Sequence, residues 1–287
     1  MALTLRNTAI VLDSTADMPD AAERHPNWRV VPLYVHIGGE TRRDYVDLTP
    51  EELYRRLPGE RELPTTSQPS PADFTSVFDD VASYEHVVCL CISSKLSGTY
   101  ASAMLAADLR GDEHLLVVDS RTVSGGTVLL AEAIQRRLER ETSEEELLRL
   151  IDRYRAEAGF LLTVGQLEYL IRGGRIGRAS GLAGQLLSVK PIIRLADGEL
   201  VPVKRVRGRG KSLAELEEAV AAAAGDGDAL HVAVMHADAW GDADTLAAAV
   251  RKRLPAAAVD VMTTFGAVLG AHVGPGALAL AWFRDEG

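Results

Sequence analysis

The stretch Glu85–Arg110, EHVVCLCISSKLSGTYASAMLAADLR, decides how this chain is read. Residues 87–92, VVCLCI, form a short unbroken apolar run, and residues 99–110 have the spacing of an amphipathic helix. Three serines (Ser93, Ser94, Ser97), Gly98 and Thr99 lie between them. A strand that is apolar on both faces and runs into a helix is the unit of a parallel sheet covered on both sides. The hydroxyls at such a turn either cap the helix or hold an anion, because a helix amino terminus carries unpaired N–H groups and a positive dipole end.

Working outward, the same rhythm fills the first half. TAIVLDST, WRVVPLYVHI and HLLVVDS read as strands. Thr49-Pro50-Glu51-Glu52 and Ser70-Pro71-Ala72-Asp73 read as helix starts, each a capping box with proline at the first helical position. A helical region from Gly126 to Glu157 breaks near Thr142-Ser143, where Glu145 and Glu146 stand at capping-box offsets. Beyond Gly159 the pattern changes to a strand (GFLLTV), a helix ending on glycines (GQLEYLIRGG) and a hairpin turning at Asp197-Gly198. A helix (Ser212 to Ala224), a strand (ALHVAVMHA), a helix (Asp242 to Leu254) and strands VDVMTT and ALALAWF follow. The expectation is an α/β fold of two α/β domains, 1–158 and 159–287. The first has a mostly parallel sheet flanked by helices.

Composition narrows the function. The 287 residues carry 31 Lys and Arg against 41 Asp and Glu, a net charge of −10, which argues against a nucleic-acid partner. No apolar run approaches the ~20 residues of a membrane span. The opening MALTLRNTAIVLD has no apolar h-region or small-residue cleavage site. Cys89 and Cys91 sit two apart on one strand, where a disulfide is geometrically disfavoured, so they read as core thiols of a cytoplasmic chain. Monomer is the expected state.

Small polar residues gather at the ends of expected strands: Asp13-Ser14-Thr15, Thr65-Thr66-Ser67-Gln68, Ser93 to Thr99 and Asp119-Ser120-Arg121-Thr122. In an open parallel sheet the carboxyl edge is where ligands bind. Any one hydroxyl serves equally well as a plain helix cap; four such turns favour a site. Neither a G-x-x-x-x-G-K-[ST] nor a G-x-G-x-x-G cradle is present, which weakens nucleotide binding. Ser97 lies in K-L-S-G-T, short of the G-x-S-x-G elbow. A triad of Ser97, His272 and a strand-end aspartate is the enzymatic alternative, a serine hydrolase acting on acyl esters. No histidine pairs with another ligand at metal-binding spacing, so no metal is expected. His272, in the glycine-rich apolar stretch TTFGAVLGAHVGPGALAL, suits either a hydrogen-bonded core position or a partner for a buried carboxylate.

Seven segments in order resemble the DegV family, the bacterial fatty-acid-binding proteins that serve a fatty-acid kinase. They are VLDSTADMP, VVPLYVHIGGETRRDYVDLTPEEL, LPTTSQPSPADF, ISSKLSGTYASA, VVDSRTVSGG, LEYLIRGGRIGRASGLAGQLLSVKPII and GAVLGAHVGPGALAL. The resemblance implies a long-chain, palmitate-like fatty acid buried between the two domains, with no cofactor and no catalytic residue. Its carboxylate would be held by Thr66, Ser97 and His272, with Thr65, Ser94 and Gly98 as further candidates. Neutral hydroxyls and one histidine, rather than an arginine clamp, would accept both the acid and its acyl-phosphate. It also implies a separate ATP-binding kinase that phosphorylates the presented carboxylate, a step in phospholipid precursor metabolism. The basic run Lys204–Lys211 is the expected dock for that kinase, with Arg207 foremost and Arg205 beside it, and Arg172 and Arg175, flanking two glycines, are a second candidate patch; as a plain surface feature the run would be a solvated loop.

Overall fold

The structure is a computed structural model that describes residues 2–182, 189–224 and 230–285. Along the first half run β1 (Thr8–Asp13), α1 (Ala21–Arg24), β2 (Trp28–Val31), β3 (Tyr34–Ile37), β4 (Glu40–Arg43), α2 (Pro50–Arg56) and β5 (Thr65–Ser67). Then come α3 (Pro71–Asp80), β6 (His86–Cys91), α4 (Thr99–Arg110), β7 (Leu115–Asp119), α5 (Gly125–Glu139) and α6 (Glu144–Glu157). The second half holds β8 (Gly159–Thr163), α7 (Glu168–Arg172), β9 (Val189–Ala196), β10 (Glu199–Arg207), α8 (Arg209–Ala224), β11 (Leu230–His236), α9 (Trp240–Arg253), β12 (Ala258–Thr264), α10 (Ala267–Val273) and β13 (Leu278–Arg284).

Strand alternation sorts the core. The first sheet, β2-β1-β6-β7, is parallel throughout. On its central strands Val11, Cys89 and Cys91 face Phe74 and Phe78 of α3 and Ala103 and Ala106 of α4. Ile10, Leu12, Val88 and Leu90 face the other way, into the largest core cluster. This period-two division is what a strand buried on both faces imposes. It also places the two cysteine sulfurs on one side, 3.9 Å apart, in a weak thiol hydrogen bond and not in a disulfide. The hydrogen bond with Cys89, and then burial, push the Cys91 thiol up and keep it protonated.

The second sheet has the order β10-β9-β8-β13-β11-β12 and is antiparallel except for the β11–β12 pair. Its outer face packs Leu161, Val232, Val234 and Leu280 against Leu216 and Val220 of α8 and Leu246 and Val250 of α9. Its inner face sends Phe160, Leu162, Ala233 and Met235 into the same cluster that receives Ile10 and Leu90 of the first sheet. One apolar core therefore runs between the sheets, and α5 lies within it. Gly125 at the start of α5 is pressed so close that an added Cβ would stand 2.4 Å from Met235 Sδ.

Local signals placed most boundaries. Ser70 and Asp73 form a reciprocal capping box on α3, and Ser143 and Glu146 form another on α6, at the expected break. On α2 only the Thr49 hydroxyl takes part, accepting from Glu52 N at 3.3 Å. Asp197 (φ 49°) and Gly198 (φ 79°) make the β9–β10 turn.

Four local expectations need correction. WRVVPLYVHI is two strands in different sheets, split at Pro32, which has no N–H for a ladder. Thr65–Ser67 is not on the parallel edge; it is β5 of a separate antiparallel sheet, β4-β3-β5. The glycine-rich stretch around His272 contains a short helix, α10, that carries no amphipathic period because every residue in it is buried. The basic run Lys204–Lys211 is not a loop but the end of strand β10, a turn at Gly208 and the start of α8. Within that run Lys204 pairs with Glu215 and Arg209 with Asp242. Among the described residues no helix is long and apolar enough to cross a membrane, and no cluster of His, Cys, Asp and Glu is placed to hold a metal ion.

Candidate functional site

A narrow cavity of about 60 Å3 lies inside the shared core, between the inner faces of the two sheets. That is well below the ~300 Å3 at which small-molecule sites begin, so a long ligand requires these walls to move apart. Leu33, Ile92 and Val123 from the first half and Phe160, Leu162, Leu200, Phe265 and Val268 from the second make its walls. Thr15 also lines it, but its hydroxyl is engaged by the Asp13 carboxylate. The remaining polar lining is Thr66, Ser97, Arg175 and His272. Thr66, Arg175 and His272 line a second, outer recess as well, together with Arg61, Glu62, Thr65 and Arg172. These three residues stand where an apolar interior meets a polar exterior.

His272 comes from the last turn of α10 and is 7% exposed. Its Nε2 lies 2.7 Å from Thr66 Oγ1, across 206 residues of sequence. Its Nδ1 is buried and has no partner among the described residues. Burial, and then the positive charge of Arg175, push the imidazole down to about 4, so it is neutral at pH 7. Whichever nitrogen carries the proton, Nδ1 is left with hydrogen-bonding capacity that nothing among the described residues uses. The end of α7 abuts the same ring: a Cβ added to Gly173 would lie 2.3 Å from Nδ1.

Thr66 is the middle residue of β5, so alternation turns it toward His272 and leaves Thr65 in the outer recess. Of the two threonines, only Thr66 lines the inner cavity. Ser97 Oγ lies 2.8 Å from Thr99 Oγ1 and accepts from Thr99 N at 3.3 Å, which caps the start of α4. Gly98 lies outside the cavity with ordinary φ; its lack of a side chain admits Gln68, whose Nε2 would be 2.9 Å from an added Cβ. Ser94 is exposed and its hydroxyl is engaged by Asp119 Oδ2 at 2.5 Å, away from the cavity. Arg175 was expected on a docking surface. It lies beside the histidine, donating to Leu96 O at 3.2 Å and Gly173 O at 2.7 Å, and it also lines the outer recess. The polar end is therefore not limited to neutral groups. Arg207 is exposed on β10, and neither it nor Arg205 lines the cavity or the recess.

A hydrolase would need Ser97 Oγ on His272 and an acidic group on the far nitrogen. The observed partners are Thr99 for the serine and Thr66 for the histidine, and Nδ1 has none. The sequence alone did not reveal Phe265 and Val268 as walls, nor Gly173 as a spacer. Only the paired glycines of I-R-G-G-R marked the latter position.

The model of the DegV family matches residues 7–285. The chain belongs to the DegV family. Among DegV-family relatives, a Thermotoga maritima protein named "Fatty acid-binding protein" is 33% identical over 274 residues, covering 93% of this chain and 94% of the relative. A solved DegV-family structure from Thermus thermophilus, described as fatty acid binding, superposes with a TM-score of 0.88 at 33% identity, covering 97% of this chain and 99% of its own. A stearic acid-binding protein from Eubacterium ventriosum superposes with a TM-score of 0.88 at 30% identity, covering 97% and 98%. The DegV signatures T-S-Q-P, L-S-G-T and G-A-H-V-G contribute Thr66, Ser97 and His272, three of the four polar residues at the end of the cavity.

Proposed function

We propose that this chain binds a long-chain, palmitate-like fatty acid and presents its carboxylate to a separate, ATP-binding fatty-acid kinase. The observation that carries the reading is the junction of the two spaces. An apolar cavity ends at Thr66, His272 and Arg175, and those same residues face a polar recess. Segments 1–158 and 159–287 act as the two domains of the carrier, each supplying one wall. About 15 methylenes at ~0.8 kcal/mol each give roughly 12 kcal/mol of gross transfer free energy, before ordering costs. With that much from the acyl chain, the polar groups chiefly offset the desolvation of the headgroup and set which end faces the exit. Thr66, Ser97 and the unused His272 nitrogen would hold the carboxylate, with the Arg175 charge beside it.

The reading is tested by calorimetric titration of a fatty acid into Thr66→Ala and Ser97→Ala. Each should weaken binding by about 1–3 kcal/mol, or roughly 5- to 150-fold, while melting as the parent does. Wild-type affinity in both variants would place the headgroup elsewhere and defeat the proposal.

For presentation, Arg207, Arg205 and Arg175 are the proposed contacts to the kinase, since a basic strand end on a chain of net charge −10 would steer an acidic partner surface. Arg207→Ala should lower kinase-dependent acyl-phosphate formation without changing fatty-acid affinity, and added salt should reproduce the loss in wild type. Phosphorylation indifferent to both would remove Arg207 from the docking surface.

A further inference from the structure

We propose that Asp17 and Asp44 are positioning residues for the headgroup histidine: their buried carboxylates grip the amino end of α10 from across the molecule and so fix where His272 stands. The carboxylates are set by the turns after β1 and β4, yet both reach the same few peptide groups more than 200 residues away. Asp17 Oδ1 accepts the Gly266 N–H at 2.8 Å and the Tyr45 hydroxyl at 3.2 Å, and its other oxygen accepts from the Ser124 hydroxyl. Asp17 also accepts the Thr263 hydroxyl on its backbone oxygen at 2.7 Å. Asp44 Oδ1 accepts the Ala267 N–H at 2.9 Å, while Oδ2 accepts from Ser14 Oγ at 2.8 Å. Ser14 in turn accepts the Leu33 N–H at 3.0 Å, and Tyr54 donates to Phe265 O at 2.9 Å.

These contacts seize residues 263–267, and α10 follows at once with no slack. At about 1.5 Å of rise per residue, His272 sits only about 7.5 Å along the axis from Ala267. The fit is flush as well as bonded. An added Cβ at Gly266 would lie 2.6 Å from the Tyr45 ring, and one at Gly270 would lie 2.7 Å from Leu53 and from the Tyr54 hydroxyl. A shift at the amino end of so short and closely seated a helix therefore moves the imidazole at its other end.

The choice of side chain supports the assignment. Serine or asparagine would cap a helix start with no charge to desolvate. Here two carboxylates are almost wholly buried, and no cation among the described residues forms an ion pair with either. The ionisable groups that bear most on them are Asp13 at the end of β1, Tyr45, and Tyr54 of α2, which itself faces Glu51 and Asp238; Asp20, Asp260 and Arg24 line the recess beside Asp17, and Arg24 pairs there with Asp20. Burial raises both carboxyls, Asp44 to about 7, against the pull of the Ser14, Ala267 and Val268 hydrogen bonds. Near neutral pH the grip on α10 thus gains or loses a full charge, and the imidazole should register the change.

The inference rests on the carrier reading for its consequence but not for its first test. In unliganded wild-type protein, the nitrogen-15 resonances of the His272 ring should shift in a step near pH 7 that tracks Asp44, well above the ring's own titration. Asp44→Asn should abolish that step, and Asp17→Asn should move the resonances at every pH. In both variants fatty-acid affinity should fall about tenfold. A His272 ring that is silent between pH 6 and 8 in wild type overturns the proposal without any variant having to fold. Unchanged His272 resonances in Asp44→Asn alongside weakened binding would overturn it too, by assigning the carboxylate a merely structural role. Failure of the wild type to bind fatty acid at all would defeat the carrier reading and leave the nitrogen-15 result standing on its own.

Discussion

On the carrier reading proposed above, replacing Gly173 with alanine should lower fatty-acid affinity on the order of 100-fold while leaving the fold intact. The backbone there is ordinary helix (φ −70°, ψ −8°), so alanine meets no conformational strain. What it meets is the imidazole. Its Cβ would lie 2.3 Å from His272 Nδ1 and 3.0 Å from Tyr169 O, more than an ångström inside normal contact with the ring. The ring must swing away, breaking the 2.7 Å bond to Thr66 and covering the one nitrogen left for a ligand. Two headgroup contacts are lost at once, and displacements of about 1 Å in such sites cost about that factor. Gly174 supplies the opposite control. Its φ is +68° and an added Cβ would meet nothing within 4 Å, so alanine there should cost about 1 kcal/mol of stability through strain and leave affinity alone. The measurement is a titration and a thermal melt on both variants; equal affinity in Gly173→Ala and wild type would remove His272 from the headgroup site.

The second large effect is on stability. Asp285, just past β13, has a fully buried side chain that accepts from Arg136 and Arg137 of α5 and Arg153 of α6, at distances from 2.6 to 3.4 Å. Asp285→Asn keeps the shape but leaves three guanidinium groups facing one another without an anion, a loss of about 3 kcal/mol. In a chain of this size that is a fall in Tm of roughly 5 °C. Burial alone would raise this carboxyl, but the arginines outweigh it and hold it below the ordinary carboxylate value. Its contribution is therefore present above the unfolded pKa of 3.8 and lost as pH falls through the lower folded value. The gap in Tm between variant and parent should be full at pH 7 and shrink below pH 4. Coincident melts at pH 7 would show that the arginine cluster does not need its anion.

Much of the fold is legible in the chain because its signals are local. The apolar run 87–92 and the glycine-and-serine turn behind it sufficed for β6, its parallel neighbours and α4. Asp197-Gly198 marked a hairpin, and Ser143 with Glu146 marked a helix start. Each of these is a matter of a few adjacent residues whose preferences agree with the final packing. The DegV signatures likewise named Thr66, Ser97 and His272, which the folded chain gathers at one end of one cavity.

What the sequence by itself determined, then, is the set of elements and the chemical types at the site: strands that alternate or are apolar throughout, helices with their caps, hydroxyls and one histidine. Tertiary structure decided which of them meet. Pro32 divides one apparent strand between two sheets, and α10 is helical in a glycine-rich stretch whose amino end is capped by Asp17 and Asp44 rather than by its own neighbours. Burial, and then Arg175 beside the ring, lower the imidazole's pKa, and Ser94 turns away to Asp119. The reason is one of range. Propensities, caps and periodicity act within a turn or a strand, whereas burial, close approach and charge act through space, and Thr66 and His272 become neighbours only after 206 residues have been packed between them.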